Sequence, residues 1–137
     1  MKSPSFHILR VGLAITFLWI GVLIFKDPVG WGGYLEPWAV RLLPIPIGEA
    51  MIGTAILDIV IGALLLIDYL VWLAALVGAV HIVIVLTVSG ITDITVRDIA
   101  ILAGAVALIA DSLPRVITNK FISWRKGNEN SKQTPAF

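Results

Sequence analysis

Two acids, Glu49 and Asp58, one histidine, His81, and an arginine–aspartate pair, Arg97 and Asp98, stand in stretches that are otherwise almost wholly apolar. Such side chains transfer protons, form ion pairs and fix polar head groups. A carboxylate at the centre of a membrane helix costs roughly 2.5–3.5 kcal/mol, so it needs a partner, a proton or a water-filled cavity. His81 can donate or accept a hydrogen bond, whereas Arg97 only donates. Together they could bind a polar head in an apolar slot and exchange protons with it. With no cysteine, thiolate metal sites, disulfides and dithiol redox chemistry are excluded. Two histidines, His7 and His81, supply a protein-only metal site poorly, and no metal is expected. They lie at different depths and cannot be axial ligands to one haem.

The elements that must position these groups are membrane helices. The 137 residues are 58% hydrophobic and only 14% charged. A soluble domain has about 45–50% apolar and about 25% charged residues, so the excess belongs to a membrane protein. The net charge of +1 gives no argument for nucleic acid as a partner. The pattern predicts an all-α, integral membrane four-helix bundle over 1–114, with spans at 6–25, 47–67, 70–89 and 95–113. The run over 47–89 as one helix would measure about 64 Å, twice the hydrocarbon thickness, so it must fold back near Asp68 and Tyr69.

Between the first two spans, DPVGWGGYLEPWAVRLLPIP is rich in glycine and proline. It carries Trp31, Tyr34 and Trp38 at near-helical spacing, and aromatic rings of this kind favour the membrane–water interface. The expected form is a loop followed by a short amphipathic segment over 35–43. Thr95 and Asp98 match a capping box at the start of the fourth span. Residues 115–137 read as a basic, disordered tail. Seven of the ten lysines and arginines lie near the two ends, which places both termini in the cytoplasm and the protein in the cell membrane as a multi-pass chain.

Counting along the helices puts polar groups at shared depths. From the inner turn, Asp58 lies about 15 Å up and His81 about 18 Å up, so the two could pair near the midplane. Glu49 and Arg97 fall in an outer layer at about 28 and 25 Å, with Asp98 close by. Arg10 and Asp111 share the inner end, where an ion pair would close the bundle. Alternatively Arg10 could snorkel to the head groups. Glu49 and Asp58, nine residues apart, are half a turn out of phase and need not line one cavity. Simpler roles compete: Glu49 can complement a helix dipole, Asp98 can serve the capping box, and His81 can be a packing residue. Asp58 is central and far from any helix end.

The chain resembles the DoxX family of small four-span membrane proteins. The likeness is carried by LRVGL leading into FLWIG (9–13 and 17–21), the DPVGWGGYLEPW loop, LDIVIG (57–62) and TVRDIAIL (95–102). It covers residues 9 to about 110. Asp58 stands where the family's second span often carries glutamate. The resemblance implies a membrane subunit of a quinone-linked oxidoreductase, or a membrane partner of soluble oxidative-stress proteins, with accessory rather than independent catalysis. A quinone would then be the ligand, held by Glu49, Asp58, His81, Arg97 and Asp98, with Trp31 or Trp38 bordering its head. A soluble redox protein and a second copy of the chain are the partners to look for beside the bilayer. Two other readings stay open: a non-enzymatic anchor or scaffold docking a soluble partner through the basic tail, and a small proton-coupled transporter using Asp58 and His81.

Overall fold

A computed structural model describes residues 2–113, 119 and 122–125. Among these all regular structure is helical. Four long helices, α1 (Pro4–Lys26), α4 (Ile47–Leu66), α5 (Val71–Ser89) and α6 (Val96–Ser112), are joined by two short ones, α2 (Pro28–Gly32) and α3 (Pro37–Leu42). α1, α4 and α5 are long and apolar enough to cross a membrane. α6 has 17 residues, about 25 Å of helix, and carries three charged acidic or basic groups, Arg97, Asp98 and Asp111. The disordered tail expected from residue 115 lies outside the described residues, apart from 119 and 122–125, which are helical.

Local chemistry sets the ends. Ser3 caps α1 by accepting the Phe6 N–H at 3.2 Å, and Pro4 follows in the first turn, where its missing N–H costs nothing. Pro28 cannot continue α1, so the chain turns at Asp27. That residue then caps α2, accepting the Gly30 N–H at 3.0 Å, which adds a helix to the expected loop. At the other end of the molecule α4 closes in a Schellman motif. Asp68 takes the left-handed conformation with φ 61°, and the Tyr69 N–H reaches back to the Leu64 carbonyl. Aspartate tolerates this conformation better than most residues, and it is the turn that separates α4 from α5.

The long helices pack in the cyclic order α1, α4, α5, α6, with α1 against α4 and α5 against α6 as the most extensive seams. Close approach of α1 and α4 depends on two glycines. A Cβ on Gly62 would stand 2.8 Å from the Leu18 nitrogen and 2.9 Å from the Ala14 carbonyl oxygen, and one on Gly21 would meet the Ala55 oxygen at 2.9 Å. Small residues at helix seams allow backbone contact of this kind in membranes. Large apolar side chains such as Trp19, Val22, Ile56, Val80 and Val83 point outward on these helices, as a bilayer requires.

The core is divided. Toward the α4–α5 hairpin, Phe6, Leu13, Phe17, Ile61, Leu65, Val71, Ile82 and Leu108 pack together. A smaller cluster of Ile24, Met51 and Ala55 lies nearer the α2–α3 end, backed by Trp31, Leu35 and Ile47. Phe17 reaches across to Gly78 of α5, where a Cβ would lie 3.1 Å from its ring.

Candidate ligand cavity

A cavity of about 240 Å³ opens at the α2–α3 end of the four long helices. Its walls are mainly apolar, and all six helices or the segments next to them contribute. Phe17 lies at its edge from α1. Trp31 and Tyr34, whose rings meet edge to face with centroids 5.9 Å apart, line it from the α2–α3 segment. That segment is tied to α5 by the Glu36 N–H, which donates to the Val88 carbonyl at 2.8 Å.

Asp58 of α4 and His81 of α5 meet in this cavity. His81 Nε2 stands 3.2 Å from Asp58 Oδ1, and the two side chains are only 11% and 4% exposed. The distance is that of an ion pair, yet the geometry of a hydrogen bond is not met. Asp58 Oδ1 is therefore buried without a hydrogen-bond partner among the described residues. His81 is its nearest partner, and a carboxylate oxygen has lone pairs for a further donor from the cavity.

Arg97 and Asp98 reach the same cavity from the first turn of α6. Asp98 is buried, and Arg97 Nε lies 3.8 Å from its Oδ1, with the arginine side chain half exposed. The expected capping box does not form. The Thr95 hydroxyl donates to the Gly90 carbonyl at 2.7 Å and accepts the Thr92 N–H, while the Thr95 N–H goes to the Thr92 hydroxyl. With its backbone partner already taken, Asp98 is left for the cavity.

Three other expectations change. Glu49 is exposed, lies outside the cavity and forms no pair with Arg97. The half-turn offset from Asp58 turns it away, and the cavity is lined by its neighbours Ala50, Met51 and Thr54 instead. Trp38 is 44% exposed on α3 and also lies outside the cavity, so of the two candidate tryptophans only Trp31 borders it.

Arg10 does not pair with Asp111, which is exposed. Nor does it snorkel: the residue is buried and turned toward the end of α4. Its Nη1 donates to the carbonyl of Leu65 and, at 2.9 Å, to that of Leu66, and its Nε is 3.4 Å from Asp68 Oδ1. The last carbonyls of a helix have spare lone pairs and carry the negative end of the dipole, which suits them to a buried guanidinium.

Ser89 and Thr95 also line the cavity, and both are buried. The sequence shows them only as turn residues at the end of one span and the start of the next. The loop that brings them over the cavity is a tertiary feature, and no local signal marks it.

Thus the residues offer a buried carboxylate and imidazole, one guanidinium, a second acid and the Ser89 hydroxyl above an apolar floor. A ring with hydroxyl or carbonyl substituents fits such a donor and acceptor set. No family model matches this chain, and neither a curated protein nor a solved structure is significantly similar to it.

Proposed function

We propose that this protein is a DoxX-like integral membrane component of a redox system that holds a quinone or its quinol in the cavity around Asp58 and His81. The observation that supports this most is the buried Asp58–His81 pair, 3.2 Å apart, which lines the cavity. A carboxylate beside a cavity can accept from a second donor, and a quinol hydroxyl is one. The oxidised ring instead offers carbonyl acceptors, for which His81 and Arg97 are the donors at hand. Apolar walls suit the rest of the ring, and Trp31 and Tyr34 can cover it. When bound, a quinone supplies two-electron, two-proton redox chemistry. The chain's own part is to hold the ring, exclude bulk water and accept or release protons at Asp58 and His81. Electrons would be exchanged with a soluble partner, so the chain is an accessory subunit.

On this reading α6 is the fourth span, shortened because its first turn faces the cavity and not lipid. Both termini are cytoplasmic, and the α2–α3 end faces outward. The cavity favours ligand binding over a bare anchor, which would need no buried ion pair lining an open space. The test uses the intrinsic fluorescence of Trp31. Purified protein in lipid nanodiscs is titrated with decylbenzoquinone. Saturable quenching that is largely lost in Trp31→Phe and kept in Trp38→Phe supports the proposal. Quenching that is linear and unsaturable, or unaffected by Trp31→Phe, contradicts it.

A further inference from the structure

A second opening lies beside the cavity. It is a shallow, open groove on the outer face of α1 beside α6, bordered by Ile15, Thr16, Trp19, Ile20 and Arg97. Ile20 and Arg97 border the main cavity as well, so the two spaces meet at these side chains. Nearer the hairpin, Gly104 of α6 lets Leu9 and Leu13 of α1 approach to 3.3 Å of where a Cβ would be. One heptad toward the other end, the same face of α6 presents the long side chain of Arg97, which borders the groove. Trp19 is 68% exposed alongside.

We infer that this groove seats the apolar tail of the ligand, with Arg97 at the junction between tail and head. The inference rests on the cavity's being a quinone site and assigns its ligand class: an amphiphile whose polar ring enters from the bilayer and whose chain stays between α1 and α6. The walls support this occupant. Ile15, Trp19 and Ile20 are apolar, and the methylene stem of Arg97 completes the groove while its guanidinium, half exposed and 3.8 Å from Asp98, stays at the mouth of the cavity. A water-soluble substrate would have no use for an opening on this flank. Each methylene withdrawn from water adds to affinity, but within a bilayer the tail's contribution is mainly positioning, since lipid is as apolar as the groove. The tail therefore selects by fit.

The experiment compares decylbenzoquinone with the same ring lacking a tail, by equilibrium binding to protein in nanodiscs, for wild type and Thr16→Phe. The substitution fills the groove and leaves the cavity open. Expected is about a tenfold weaker binding of the tailed compound with the tailless ring unchanged. Equal weakening of both, or of neither, overturns the tail site. Failure of wild type to bind either compound overturns the quinone site as well. A diazirine placed in the decyl tail provides a second measurement on unsubstituted protein. It should label the 15–20 segment of α1. Labelling confined to α4 or α5 contradicts the tail site, and a cross-link joining two chains through this seam shows that the groove is covered by a second copy instead.

Discussion

His81 and Asp58 come from successive helices of one hairpin and meet 3.2 Å apart, twelve and ten residues from the turn that joins them. Their nearly equal distance from the turn brings them level, and the small residues Ala74 and Gly78 on the face of His81 allow α5 to pack inward. Replacing His81 with Leu should leave a buried carboxylate without its nearest partner and lower stability by about 3–5 kcal/mol. The double variant Asp58→Leu/His81→Leu should recover most of that loss. Denaturant unfolding in mixed micelles measures the cycle, and strictly additive effects would show that the two side chains do not interact.

Arg10 ties the first helix to the hairpin. Arg10→Met removes its hydrogen bonds to the Leu65 and Leu66 carbonyls and should cost about 2–3 kcal/mol. Asp68→Asn should cost less than about 1 kcal/mol, because that side chain is 47% exposed. Asp111→Asn should stay within about 0.5 kcal/mol, as expected of a surface change. Thermal denaturation of the three variants ranks them, and an Asp111 effect as large as that of Arg10 would restore the pair that the sequence suggested.

The α1–α4 seam gives a contrast among glycines. Gly62→Ala and Gly21→Ala push a methyl group into backbone atoms under 3 Å away, and each should destabilise by about 1–3 kcal/mol. Gly12→Ala and Gly53→Ala meet nothing within 4 Å and should be neutral or stabilise by up to about 1 kcal/mol, since alanine is the better helix former. Unfolding midpoints in one detergent decide it. Equal effects at all four positions would mean that the seam is not packed this closely.

Glu49 provides the negative control for the cavity. It shares α4 with Asp58 but faces away, so Glu49→Gln should change ligand affinity by less than about twofold. Thr54→Leu, one turn from Asp58 and inside the cavity, should crowd the ring and weaken binding. A strong effect at Glu49 with none at Thr54 would place the site on the opposite face of α4.

Much of the helical layout is legible in the residues, because apolar runs, prolines and turn residues act locally. The spans expected at 47–67 and 70–89 end within a residue of α4 and α5. Depth counting also places Asp58 and His81 level, since helical rise is nearly constant. What depth cannot supply is direction around the axis. Counting puts Glu49 and Arg97 level too, yet Glu49 is exposed, turned out by its phase relative to Asp58. For Arg10 the residues suggest either the head groups or the Asp111 carboxylate, because the carbonyls of a helix end are invisible in a sequence of side chains. The Thr92–Thr95 turn likewise takes the hydroxyl that a capping box needs, and only the folded loop shows it.

The dissociation constant of decylbenzoquinol for wild type and for Asp58→Leu/His81→Leu, in the same nanodiscs, is the most direct test of the cavity. The double variant is suited to it because removing both partners leaves no buried group unpaired. Wild type should bind saturably and the variant at least about a hundredfold more weakly, at similar thermal stability. Equal affinity in the two proteins would show that Asp58 and His81 hold the helices together and do not hold a ligand.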